Sequence, residues 1–179
     1  EELPKVFNVG LGIGSLAPSL MAGAIKKNVT QMAKMFITGE TPQEAISVLK
    51  KARKQKIAFT VDILGEAALS EVESQKYLNQ YLELVSWLAK DAANWDHIPQ
   101  IDEDHKGPIP RVNVSVKLTS IDSEIDLKDW DKSKERIKER VRSIYRLAME
   151  RGVFITLDME QYEIKDFTLE VFKELLMEP

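Results

Sequence analysis

What most constrains this 179-residue chain is an alternation that starts at residue 57. Residues 57–64 (Ile-Ala-Phe-Thr-Val-Asp-Ile-Leu) are β-branched and aromatic with almost no polar alternation, the texture of a strand buried on both faces of a parallel sheet. Residues 112–118 and 153–160 read as further strands, and each of the three is followed by a helical pattern. The first helix opens at a capping box, Ser70 with Glu73, and runs to about residue 93 with Tyr77, Tyr81, Leu84, Val85 and Leu88 on one face. The second covers 132–150 with Ile137, Val141, Ile144 and Ala148 inward, and Gly152 stops it. The third starts at Asp166 or Thr168 and carries Phe167, Val171, Leu175 and Leu176. Strand–helix alternation predicts an α/β fold with parallel strands and right-handed crossovers. A doubly wound sheet and a (β/α)8 barrel both fit the pattern.

A helical preamble comes first, two helices within residues 20–56. Met21, Ile25, Val29, Met32 and Phe36 make an amphipathic stripe on the first, which stops at Thr38-Gly39. Thr41, Pro42 and Glu44 form the start signal of the second, whose apolar face is Ala45, Ile46, Leu49 and Ala52. Lys50, Lys51, Arg53, Lys54 and Lys56 read as its solvated, positively charged end. Upstream, Gly10-Leu-Gly-Ile-Gly14 resembles a dinucleotide loop only superficially, because Pro18 follows and no partner strand lies within βαβ distance; it reads as a flexible lead-in.

Apolar residues make up 44% of the sequence and charged residues 30%, as in globular domains. With no Cys, disulfides, thiolate zinc sites and thiol nucleophiles are excluded. A net charge of -4 gives no electrostatic case for nucleic acid. Residues 6–25 are broken by polar residues, Gly and Pro and lack a basic flank, so they suit neither a spanning helix nor a signal peptide. A reducing, cytoplasmic or matrix-like compartment is the default expectation.

In parallel α/β folds function gathers at the carboxyl ends of the strands. All three ends carry charge: Asp62 and Glu66, then Lys117, then Asp158 and Glu160. Charge in a buried strand is costly unless paired or used. Asp158 and Glu160, two apart, share a strand face, and Lys117 on the neighbouring strand is placed to pair with Asp158. His97 and His105 flank an acidic stretch, Asp102 to Asp104, in a segment (94–110) read as an exposed, solvated loop rather than a metal site. Trp87, Trp95 and Trp130 read as packing or loop anchors.

The strand-end motifs Asp62-Ile-Leu-Gly-Glu66-Ala-Ala, Val114-Ser-Val-Lys117-Leu-Thr-Ser and Leu157-Asp158-Met-Glu160 closely resemble those of the first three barrel strands of proline dehydrogenases, over roughly residues 26–179. The resemblance implies the N-terminal part of a (β/α)8 TIM-like barrel: a Gly-rich lead-in and helical arm over 1–56, then about three βα units over 57–179. It implies FAD as cofactor, L-proline as substrate, Δ1-pyrroline-5-carboxylate as product and a membrane quinone as electron acceptor. A fused pyrroline-5-carboxylate dehydrogenase domain is a further expectation, as is a cytoplasmic location, peripheral at the inner membrane or on the mitochondrial matrix side in a eukaryote. By match, Lys117 pairs with the proline carboxylate and lies close to Asp158, which helps shape the substrate pocket. Met159 contacts the flavin through its backbone, Glu160 belongs to the same motif beside it, and Glu66 gates the pocket. No metal is implied. The family's remaining strands carry most flavin contacts and the carboxylate-binding arginines, so this chain alone is expected to bind FAD poorly and not to oxidise proline. Other readings of the same residues are a Schiff base at Lys117, Mg²⁺ held by Asp62, Asp158 and Glu160 in a lyase, and a non-catalytic interaction fragment.

Overall fold

A computed structural model describes residues 18–33, 37–39, 41–65 and 67–178. The lead-in glycines Gly10 to Gly14, Phe36 and Glu66 lie outside the described residues. The chain divides into two compact units, Glu1–Ala45 and Ile46–Pro179.

The described helix of the first unit is α1 (Pro18–Ala33). Ile25, Val29 and Met32 of the expected apolar stripe are exposed on it, at 54%, 59% and 60%. Helical spacing identifies a shared face but not a surface to cover it. α2 (Pro42–Lys54) begins as expected, with the Glu44 N–H donating to the Thr41 hydroxyl at 3.4 Å. From Ile46 onward α2 belongs to the second unit.

The second unit is built on a parallel sheet of β1 (Val61–Asp62), β4 (Asn113–Lys117) and β5 (Phe154–Asp158), in that spatial order. α3 (Glu71–Ala92) connects β1 to β4, and α6 (Trp130–Arg151) connects β4 to β5. After α3 come a short helix α4 (Pro99–Asp102) and a small antiparallel hairpin, β2 (Glu103–Asp104) with β3 (Gly107–Pro108). One helical turn, α5 (Leu118–Ile121), follows β4, and α7 (Lys165–Leu176) ends the described chain.

The helix starts and stops follow their local chemistry. Ser70 caps α3 by accepting from the Glu73 N–H at 3.3 Å, while the Glu73 carboxylate accepts from the Leu69 N–H at 2.9 Å. Gly152 ends α6 in the left-handed conformation at φ 65°, where a Cβ would be strained. α7 departs from expectation: neither Asp166 nor Thr168 caps it. The helix grows out of a 3-10 turn, Tyr162–Ile164, and the Thr168 hydroxyl donates to the Ile164 carbonyl.

β1 also differs from the sequence reading, being two residues long with Ile57 and Leu64 exposed. Only β4 supplies it with backbone partners among the described residues, so little of the 57–64 run is held in ladder geometry. β4 is the most buried strand, from Val114 to Lys117. Val112, Val114 and Val116 pack with Leu84, Val85 and Leu88 of α3 and Ile137, Val141 and Ile144 of α6. α3 and α6 touch each other, so both cover the same sheet face. The opposite face is polar: Asn113, Ser115 and Lys117 alternate with the valines, and the Thr156 hydroxyl bonds the Asn113 side chain at 3.1 Å.

The 94–110 segment is not the solvated loop anticipated. Asp102 is buried at 1% exposure and takes a bidentate pair of bonds from Arg53 at 2.8 and 2.7 Å. Arg53 is itself buried, so the positive end of α2 is not wholly solvated. Ile46, Leu49 and Arg53 lie on one face of that helix, and the guanidinium stacks on Trp95, which meets Phe59 edge-on. Trp130 packs edge-on against Phe167, while Trp87 is partly exposed. His97 bonds Glu103 at 2.7 Å on the surface.

Candidate active site

The parallel register sets the site. Lys117 ends β4 directly beside Asp158, the last residue of β5. The pairing the sequence suggests is present: the Lys117 ammonium donates to Asp158 Oδ2 at 3.1 Å. Glu160, two residues further and on the same side, has Oε1 3.5 Å from Lys117 Nζ. From the other flank Asp62, at the end of β1, also accepts a hydrogen bond from the ammonium. One buried ammonium (side chain 7% exposed) thus meets carboxylates from both neighbouring strands. Burial pulls the Lys117 pKa down, but hydrogen bonds to Asp62 and Asp158 and the charges of Asp62 and Glu160 prevail and raise it above the ordinary lysine value. The amine is therefore held protonated.

A second layer, not anticipated from the sequence, fixes the Lys117 backbone. Its N–H donates to the hydroxyl of Tyr81 at 3.3 Å, and its carbonyl accepts from Ser120 at 2.7 Å. Tyr81 is fully buried, and burial pushes its phenol up. The loop after β1 is tied back to α5, the Ala68 N–H donating to the Thr119 carbonyl at 2.9 Å. Met159 is half-exposed on the turn after β5.

This geometry bears on the chemistry available. A Schiff base needs a neutral amine, and Lys117 is held charged. The three carboxylates surround an ammonium rather than a cavity, and among the described residues no group of His, Asp and Glu is arranged to hold a metal ion. Charged groups gathered at the carboxyl ends of parallel strands define the class: an α/β protein with an enzyme-type site at its strand ends.

The comparisons with known proteins give the family. Residues 45–179 match the sequence profile of the family described as proline dehydrogenase. The chain belongs to the proline dehydrogenase family. It is 26% identical to the bifunctional protein PutA of Escherichia coli over 167 residues, which is 93% of this chain and 12% of that protein. It is 26% identical to proline dehydrogenase 1 of Bacillus subtilis over 146 residues, 82% of this chain and 40% of the other. The crystal structure of proline utilization A from Bdellovibrio bacteriovorus, inactivated by N-propargylglycine, superposes with a TM-score of 0.87 at 66% identity. That match covers 89% of this chain and 17% of that one. The chain thus spans well under half the length of these relatives. Among the described residues no helix is long and apolar enough to cross a membrane.

Proposed function

We propose that this chain supplies part of the active site for FAD-dependent oxidation of L-proline to Δ1-pyrroline-5-carboxylate. The observation that carries the reading is Lys117, charged and buried at a strand end within a segment that belongs to the proline dehydrogenase family. In this reading residues 57–179 are the first three βα units of a (β/α)8 barrel and residues 1–56 an arm before it. The two crossover helices support that architecture: α3 and α6 pack against each other on one face of the sheet, as in the outer ring of a barrel, whereas a doubly wound sheet distributes its helices over both faces.

Lys117 binds the carboxylate of proline as a compact point charge, and Asp158 shapes the pocket beside it. Of the three ammonium protons, the one facing Glu160 has the longest contact, 3.5 Å, and is the one a substrate carboxylate takes most readily. Glu66 is the gate residue of the family motif. The residues here fit the substrate-facing side of a flavin and not its phosphates, since the strand-end cation, Lys117, is already ringed by carboxylates. Met159, through its backbone, and Glu160 would border the flavin. Bound there, FAD supplies the hydride acceptor, with a membrane quinone as the onward acceptor and the inner-membrane surface, cytoplasmic or matrix side, as the location. A fused pyrroline-5-carboxylate dehydrogenase domain is the partner that the bifunctional relative suggests.

The test is proline-dependent dye reduction by the flavin-loaded protein that carries this segment. Lys117→Ala should lower kcat/KM by about 100-fold or more, the loss of a charge-assisted carboxylate contact of about 3 kcal/mol. Proline oxidation that survives this substitution, or borohydride trapping of a carbonyl substrate on Lys117, overturns the reading.

A further inference from the structure

Resting on that reading, Lys117 must be aimed as well as charged, because a lysine side chain is long and flexible. We infer that Asp62, the last residue of β1, is the positioning residue that aims the Lys117 ammonium. Asp62 accepts a hydrogen bond from the ammonium, as Asp158 does at 3.1 Å, with Glu160 further off at 3.5 Å. It is also the carboxylate on the β1 side: β1 and β5 flank β4, so Asp62 opposes the pull of both acidic groups from the β5 side. Without it the ammonium swings towards Asp158 and Glu160, away from the centre of the strand ends. The rest of Lys117 is already fixed, by the Tyr81 and Ser120 hydroxyls on its backbone, so the free end of the side chain is what Asp62 controls.

The Asp62 side chain is 37% exposed, so water is available to it as an alternative partner, yet it faces the ammonium. The same exposure makes Asp62→Asn a clean substitution that buries no unpaired charge.

The experiment measures acetylation of Lys117 by acetic anhydride at pH 9 in the folded, flavin-free protein that carries this segment, by mass spectrometry, with exposed Lys76 as internal standard. The groups facing the amine are Asp62, Asp158 and Glu160, while the Tyr81 hydroxyl meets the Lys117 backbone. Asp62→Asn should raise the Lys117 rate about tenfold, the consequence of roughly one pKa unit. Asp158→Asn and Glu160→Gln should raise it less, and Asp62→Glu should stay within about threefold of the unaltered chain, a pattern that a general loosening of the fold does not produce. An Asp62→Asn rate within about twofold of the unaltered chain, or a larger rise in Asp158→Asn, overturns the assignment. If circular dichroism shows Asp62→Asn unfolded, Asp62→Glu decides: a preserved rate supports the role and a rate matching Asp158→Asn refutes it. The assay contains neither flavin nor proline, so its failure overturns the role of Asp62 and leaves the enzymatic reading to stand or fall by dye reduction.

Discussion

Tyr81 accepts the Lys117 N–H and Ser120 donates to the Lys117 carbonyl, so both backbone polar groups at the end of a buried strand are satisfied by side chains. Buried donors without partners are costly, which gives the Tyr81 hydroxyl a measurable worth. Tyr81→Phe keeps the ring in the core and leaves that N–H unpaired. It should lose about 1–2 kcal/mol of stability in urea denaturation at pH 7. Ser120→Ala in the same assay should cost no more, because the carbonyl it releases is an acceptor, the group more easily left under-satisfied. An unchanged midpoint for Tyr81→Phe would show that the 3.3 Å bond carries nothing. The sequence placed Tyr81 correctly on the inward face of its helix, from spacing with Tyr77, Leu84, Val85 and Leu88. Its bond was not legible, because periodicity names the face that turns inward and not the backbone atom it meets. Lys117 with Asp158 was legible, since neighbouring strand ends bring such residues level.

Between elements, the pair of Arg53 on α2 and Asp102 on α4 is the clearest case of a contact the sequence hid. Both lie in runs of like charge, Lys50 to Lys56 and Asp102 to Asp104, and such runs ordinarily face water. The usable signal was Arg53 continuing the stripe of Ile46 and Leu49. Buried on both sides, the pair is expensive to break from one end: Arg53→Met or Asp102→Asn should cost about 3–5 kcal/mol in urea at pH 7, with Arg111 at 3.5 Å softening the loss for Arg53→Met. The pH dependence has a definite sign. The Arg53 hydrogen bonds, against the opposing effect of burial, hold the Asp102 carboxyl below its ordinary value. A depressed folded-state pKa contributes stability above the unfolded value of about 3.9, lost as pH falls through the folded one. The gap between the unaltered chain and Asp102→Asn should therefore narrow as urea midpoints are taken from pH 5 towards pH 2. A gap constant with pH would mean that Asp102 does not titrate with folding.

For the second unit as a whole, the order of elements was readable in the sequence and the quality of each strand was not. All three strands end in charge, yet among the described residues only β4 has a neighbour on each side, and it is buried from Val114 to Lys117. Sequence texture reports how well a segment suits burial; pairing decides whether burial happens. β1 shows the difference, with the same β-branched texture and two residues in the ladder. It follows that the core hangs on β4, whose valines touch helices on either side of it in sequence, α3 and α6, while α7 adds Phe167 and Val171 to the same cluster. A cluster shared in this way should unfold as one unit, as single domains of this size usually do. Val116 is fully buried, and Val116→Ala removes two methyl groups from its middle, at a cost of roughly 2–3 kcal/mol from lost burial and the cavity left behind. Trp95 lies against Phe59 and Arg53, Trp130 against Phe167 near α7, and Trp87 is partly exposed on α3, so tryptophan fluorescence samples three separate places in the unit. The expected result is that helix signal and fluorescence move to lower urea together by the same amount in Val116→Ala. Separation of the two transitions would mean that β4 does not couple the Arg53–Trp95 corner to α7, and that the strand-end site is supported by its local contacts alone.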